Sequence, residues 1–270
     1  MPPETKRMDY SIGQVAKLLG LSVEGVRNYE KSEIITPKRT DSAYRKYSYL
    51  DITSLIRAKA YRSLGFTLKE TSQLTNEMQI DQIVDAFRGK RQGLDGQREL
   101  IRAKIAYIDE MVSEFEALEQ QLDRPQIRLM PAYYRFEYGK NGAICMDDGV
   151  RSTFGAWMEY APFVHISSRY EDGDVYGGLA IEEKYARLFD IHEDGLIRYI
   201  PQGLSIGVKV MEPENGYSNA KCTDVLKRYA EYHRFKISRD LIGHTILGIT
   251  KKQAYKRYRE VCARIISENP

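Results

Sequence analysis

Apolar residues recur at helical spacing near the start of the chain, at Ile12, Val15, Ala16 and Leu19, and again at Val23 and Val26, with Ile34 beyond them. Gly20 stops the first run, and Ser22 stands where a side chain can cap the second. Val23, Val26 and Ile34 are expected to point inward. Two short amphipathic helices joined by a tight turn are predicted, with Glu24, Arg27, Asn28 and Lys31 on the outer face of the second. Pro37 and Asp41-Ser42 then predict turns in a stretch where Tyr44, Arg45, Lys46 and Tyr47 alternate basic and aromatic character, a small wing. Asp51 is expected to open a third helix over residues 52–64, and Thr67 to cap a fourth over residues 68–74.

From residue 83 to 122 the pattern becomes one long helix. Leu94, Ile101, Ile105, Ile108, Val112, Phe115 and Leu122 are spaced by fours and threes, a heptad seam bordered by charge. Such a seam serves a two-stranded coiled coil, parallel or antiparallel, or packing within the chain. Gly89, Gly93 and Gly96 weaken the first turns and mark an expected break. Beyond Asp123-Arg-Pro125 alternation at period two takes over. It predicts a strand over 128–138, a helix over 148–160, strands over 164–169 and 175–181, and a strand-like 196–210 interrupted at Pro201-Gln-Gly203. A helix over 217–233 and a closing strand pair over 236–249 and 254–266 follow. The order implies two β-α-β-β modules with a cleft between two sheets and two helices, a natural small-molecule site. The expected class is α+β, with residues 1–80, 81–124 and 126–270 as its three parts.

Length and composition agree with several modules. The chain has 270 residues, 42% of them hydrophobic, and a mean hydropathy of -0.51. No apolar run is long enough to span a bilayer and Met1 to Tyr10 does not read as a signal peptide, so a cytoplasmic setting without a membrane partner is expected. Net charge is only +3, but residues 1–80 hold 13 Lys/Arg against 9 Asp/Glu. Cys145, Cys222 and Cys262 are isolated and show no metal-ligand spacing, so no metal and no cofactor is expected, and idle or buried thiols are the default. No nucleophile elbow, phosphate loop or His-Glu-x-x-His motif is present, which speaks against an enzyme.

Tyr10-Ser-Ile-Gly-Gln-Val-Ala16, Arg27-Asn-Tyr-Glu30, Tyr44-Arg-Lys-Tyr47 and Leu64-Gly-Phe-Thr-Leu68 together resemble the MerR family of transcription regulators over roughly the first 75 residues. The resemblance implies promoter-DNA contacts from Arg27 and Tyr29 on the recognition helix and from Tyr44, Arg45 and Tyr47 in the wing. Asn28, Lys46 and Lys31 complete the candidate set. Asn28 replaces a usual Tyr and Lys46 a usual Tyr or Arg, so base preference is expected to differ. The resemblance also implies an antiparallel coiled-coil homodimer and action on RNA polymerase at the promoter.

Val175-Tyr-Gly-Gly, Ile200-Pro-Gln-Gly, Leu226-Lys-Arg-Tyr and Tyr258-Arg-Glu-Val-Cys-Ala-Arg-Ile resemble, more weakly, the GyrI-like effector-binding domain of the family's multidrug-sensing branch. That implies an aromatic pocket from Phe154, Tyr176 and Tyr258, with Trp157 and Tyr170 adjacent. Gly243 stands where such relatives often carry a ligand-pairing Glu; Glu159, Glu171 and Glu182 are the candidates to supply that charge from another wall of the pocket, and His244 is the candidate to bind an acidic or hydrogen-bonding ligand. The implied function is a ligand-responsive regulator that distorts promoter DNA when a small lipophilic, aromatic or cationic effector binds. A ligand-sequestering resistance protein and a GyrI-like hydrolase are the alternatives.

Overall fold

The computed structural model describes residues 9–39, 44–213, 219–251 and 254–268. The chain divides into two compact units, Met1–Glu99 and Leu100–Pro270, and the division falls within one long helix. The architecture is α+β.

The first unit is built by local capping. Helix α1 (Ile12–Leu19) starts at a Ser11–Gln14 capping box and ends at Gly20, whose φ of 61° is the left-handed conformation that glycine adopts without a Cβ penalty. Ser22 caps α2 (Val23–Lys31) by accepting from the Gly25 amide at 2.9 Å. A two-residue ribbon follows, β1 (Lys38–Arg39) on β2 (Arg45–Lys46). Helix α3 (Tyr49–Ser63) opens earlier than expected. Ser48 is the cap and Asp51 is the third helical residue that closes the box, with the Ser48 amide donating to its carboxylate at 2.7 Å. Thr67 caps α4 (Leu68–Asn76) as predicted. Val15, Val26, Leu55 and Tyr47 are fully buried in the core these helices share, joined by Ile34. Val23 departs from expectation at 38% exposed: it is the first residue of α2, and the buried stripe of that helix begins one turn later at Val26. The predicted Asp41-Ser42 turn lies outside the described residues, as does Tyr217.

Helix α5 (Ile80–Gln121) runs 42 residues without the break expected at Gly89, Gly93 and Gly96. Tertiary contacts hold its first turns: Phe87 meets Phe66 at 5.1 Å and Tyr61 at 5.7 Å, and Lys90 donates to the Gly65 carbonyl at 2.8 Å. Packing therefore offsets the glycine propensity. Leu94, Ile101, Ile105, Ile108, Val112 and Phe115 are all exposed along it. No helix among the described residues is long and apolar enough to cross a membrane.

In the second unit the strands are β3 (Gln126–Met130), β4 (Tyr133–Lys140), β5 (Ala143–Ile144), β6 (Val164–Glu171), β7 (Asp174–Glu182), β8 (Ile197–Ile200), β9 (Gly203–Pro213), β10 (Phe235–Lys251) and β11 (Ala254–Glu268). The helices are α6 (Asp148–Met158), α7 (Glu183–Ala186) and α8 (Asn219–Tyr232). Two expected strands are split. The segment 128–138 divides at Pro131, with β3 pairing β9 and β4 pairing β7; 196–210 divides at Pro201, with β8 pairing β4 and β9 pairing β11. Proline lacks the ladder N–H and marks such exits.

The two modules do not form separate sheets around a cleft. They fuse into one nine-stranded sheet, ordered β3-β9-β11-β10-β6-β7-β4-β5 with β8 also on β4. The junction is β6–β10, where Ser168 opposes Gly243 and Ser167 opposes His244. Opposed residues share a face. The registers therefore put Phe136, Leu179, Ile181, Tyr170, Leu241, Val261 and Val208 on one side, buried under α6 and α8 through Trp157, Leu226 and their neighbours. Tyr133, Arg135, Glu137, His165, Ser167, Arg169, His244 and Glu260 fall on the opposite side, which neither α6 nor α8 covers.

Candidate functional site

Two surfaces carry chemistry. The first is the outer face of α2. Arg27 and Lys31 are both exposed and lean on Glu24, at 3.4 and 3.1 Å, while Asn28 is exposed beside them. Lys31, closest to Glu24, holds that carboxylate below its ordinary pKa, with Arg27 adding to the effect. The adjacent ribbon puts Lys38 opposite Lys46 and Arg39 opposite Arg45. Like charges directly opposed destabilise a ribbon, so this one calls for anionic company. Glu30 supplies part of it, receiving Arg45 Nε at 2.8 Å on each oxygen. Lys38 was not singled out by sequence reasoning; the two-residue pairing that sets it across from Lys46 was the missing signal. Tyr44 projects at 74% exposure, and Lys46 is half-buried.

Tyr29 and Tyr47 require correction as DNA-contacting candidates. Tyr29 is 8% exposed and Tyr47 fully buried, both in the helix-turn-helix core, with the Tyr47 hydroxyl 3.5 Å from Glu30. Their rings position the recognition helix and wing; neither ring is on the surface to meet DNA.

The second surface is the open face of the sheet, where two cavities adjoin and share Met130 and Tyr133. The larger, about 600 Å³, has a floor of mutually satisfied charges. Arg135 binds Glu137, Ser167 Oγ at 3.1 Å and the Tyr176 carbonyl at 2.9 Å; Arg169 binds Glu137 at 2.7 Å and also Glu171. Gly178 gives this lattice its room, since a Cβ there would meet the Phe136 carbonyl oxygen at 2.6 Å.

The smaller cavity, about 400 Å³, combines rings with carboxylates. Tyr107 lies 5.8 Å from His165, and Tyr133 meets His244 edge-on at 5.5 Å. Burial pushes His244 down to about 3 and lowers His165, so both rings are neutral at physiological pH. Burial likewise pushes Tyr133 up to about 12. His244 Nε2 is buried without a hydrogen-bond partner among the described residues. Glu110, Glu114, Glu182 and Glu260 line the same space. Arg128 holds Glu260 at 2.6 Å, Lys184 holds Glu110 at 2.7 Å and Glu182 at 3.0 Å, and Lys209 holds Glu114 at 2.5 Å. Burial works against the Lys184 ammonium, but its two carboxylates outweigh it and raise its pKa.

The six residues expected to line a ligand pocket do not converge there, and none borders either cavity. Trp157 is 2% exposed against Phe136, and Phe154 packs on Tyr138 at 5.2 Å, both from the sheet-facing side of α6. Tyr170 is buried in the α8 core beneath the Arg259 guanidinium. Gly243 shares that face, and a Cβ on it would meet Arg259 Nη2 at 2.5 Å. Tyr176 is covered by Arg169 at 4.1 Å, and Tyr258 is half-buried opposite Met211 and Leu247. Among the suggested acids, Glu159 is exposed, Glu171 borders the larger cavity, and Glu182 borders the smaller together with His244. For Tyr170 and Gly243 the physical reason is register, since a shift of one residue along a strand exchanges the covered and open faces; Phe154 and Trp157 are instead turned into the core by α6.

Cys222 and Cys262 are buried, and burial raises the Cys262 thiol well above its usual value; Cys145 is exposed beside Asp147. No cluster of potential metal ligands occurs among the described residues.

Residues 10–78 match the family model described as "MerR HTH family regulatory protein". The transcriptional activator TipA of Streptomyces coelicolor is 32% identical over 117 residues, which cover 43% of this chain and 42% of TipA. The activator mta of Bacillus subtilis is 27% identical over 110 residues, 40% of each chain, and the regulator CueR of Escherichia coli 29% over 113 residues, 42% of this chain and 77% of CueR. The chain thus spans less than half the length of TipA and of mta. Among solved structures, a complex of EcmrR with DNA aligns over 97% of this chain and 100% of its own, at 16% identity and a TM-score of 0.39.

Proposed function

We infer, from a first domain that belongs to the MerR helix-turn-helix family, that this protein is a ligand-responsive transcription regulator acting as a homodimer on promoter DNA. The observation that carries the reading is the exposed Arg27, Asn28 and Lys31 face of α2 beside a ribbon whose four residues are all basic. A recognition helix presents such side chains to base edges and phosphates, and the ribbon grips the backbone. The relatives TipA and mta, named as transcriptional activators, support an activating role.

The exposed seam from Leu94 to Phe115 supports dimerisation through α5, with residues 1–80, 81–124 and 126–270 as reader, connector and sensor. The effector site is the smaller open-face cavity. Its rings and surplus carboxylates suit a small aromatic cation, since ring faces and acids both attract positive charge. The effector changes how the dimer distorts a promoter engaged by RNA polymerase, a role that is regulatory and not enzymatic.

Selecting DNA from a random pool with the full-length protein, then footprinting the selected site with and without a cationic dye, tests this. A two-fold-symmetric site, occupied in both conditions but with altered cleavage at its centre, is expected. Failure to enrich any sequence rejects the reading, and release of DNA by the dye rejects the distortion mechanism.

A further inference from the structure

The carboxylates of the smaller cavity are not equivalent, and the difference says how occupancy would be felt. Four acids face three bases: Glu260 has Arg128, Glu114 has Lys209, and Glu110 and Glu182 share Lys184. Both histidine rings are neutral and offset nothing. If a ligand took Glu110, Lys184 would keep Glu182 at 3.0 Å. Among the described residues Lys209 has no such reserve. Its remaining side-chain partner is the neutral Gln121 amide oxygen at 2.5 Å, and Glu260, opposite it across the β9–β11 ladder, is held by Arg128.

Exposure is also asymmetric. The Glu114 side chain is 26% exposed and borders the cavity, whereas that of Lys209 is 4% exposed. A ligand can reach the acid and not the base. Lys209 in turn seats the end of α5, its carbonyl accepting the Asp123 amide at 2.8 Å and its backbone bridging Leu122.

We propose that occupancy of this cavity is read through the Glu114–Lys209 ion pair: an effector cation takes the Glu114 carboxylate, and Lys209 loses the charge that holds the last turn of α5 on the sheet. This rests on the effector reading above and adds its regulation. A buried ammonium without its counter-ion is unfavourable, so the effector and the seated last turn compete. The residues that sense are therefore on α5 and β9, and not at the strand position occupied by Gly243.

The test uses the full chain, crystal violet as the cation and its neutral leuco form as the uncharged control. Wild type is expected to bind the cation more tightly than the leuco form, with faster amide exchange at residues 118–122 when the dye is bound. Lys209→Met removes the competitor; it should bind crystal violet about tenfold more tightly and show fast exchange there without dye. Glu114→Gln should lose about tenfold in cation affinity and keep its affinity for the leuco form, while Glu110→Gln shifts cation affinity less than about threefold. Should Lys209→Met fail to fold, Glu114→Gln decides. Unchanged cation affinity in Glu114→Gln overturns the ion-pair readout while leaving the effector cavity standing. Absence of crystal violet binding to wild type removes the effector reading and this inference with it.

Discussion

Arg45 and Glu30 lock the wing to the recognition helix, the guanidinium Nε lying 2.8 Å from each oxygen of the carboxylate. The pair also raises the Arg45 pKa through the hydrogen bond and charge of Glu30. Arg45 is thus already engaged and orients the ribbon, leaving Lys38 and Lys46 freer to meet phosphate. Glu30→Gln is expected to loosen the ribbon and weaken DNA binding about tenfold with little change in effector affinity, measured by titration of a selected operator.

Arg27 should behave differently. It stands exposed on the outer face of α2 and its ion pair with Glu24 is a surface pair. Arg27→Ala is expected to cost about 1–3 kcal/mol of operator binding, to relax preference at one base position and to leave the melting temperature unchanged. Equal losses on operator and random DNA would place Arg27 on phosphate alone.

Tyr47 offers the opposite contrast. It is fully buried, so Tyr47→Ala should destabilise the first unit by about 3–5 kcal/mol through lost packing and a cavity. Tyr47→Phe keeps the ring and should leave operator affinity within about threefold, since the hydroxyl touches Glu30 and not the surface. Denaturant melts paired with DNA titrations separate the two effects.

Stability should fall as pH drops from about 6.5 toward about 3. The folded chain keeps His244 neutral down to about 3, whereas the unfolded chain takes up a proton near the ordinary value of 6.5. The unfolded state binds more protons in this window, so each pH unit removes about 1.4 kcal/mol for this one group. His165, also lowered, adds to the slope. His244→Gln should reduce the slope by one proton in melts at a series of pH values; an unchanged slope would mean that His244 is protonated in the fold.

Gly243→Ala should be costly although it adds one methyl. The new Cβ would meet Arg259 Nη2 at 2.5 Å, and that guanidinium is 1% exposed, paired with Glu212 and seated over Tyr170. A loss of about 1–3 kcal/mol is expected in thermal or denaturant melts.

The amino-terminal unit was legible because its signals are local. The stripe at Val15, Ala16 and Val26, the stop at Gly20 and the caps at Ser22 and Thr67 each act within a few residues, and the structure reproduces them. Ser48 takes the cap position expected of Asp51, a displacement of one turn of helix. The outward setting of Arg27, Asn28 and Lys31 followed from the same periodicity. Tyr29, three residues after Val26, lies on the buried stripe of that same periodicity; the burial of Tyr47 carried no such mark, since an aromatic residue in a basic non-helical stretch does not show which way its ring turns.

The chain alone therefore determined the order of its elements, the long helix with its apolar seam, and the α+β class, because these depend on spacing along the sequence. Tertiary structure decided which side of the sheet is open. That choice follows from β6 joining β10 with Ser168 on Gly243, which buries Tyr170 and Gly243 under α8 and leaves His165, His244 and Glu260 facing out. Strand residues alternate faces every position, so pairing between segments some seventy residues apart sets what a cavity can contain.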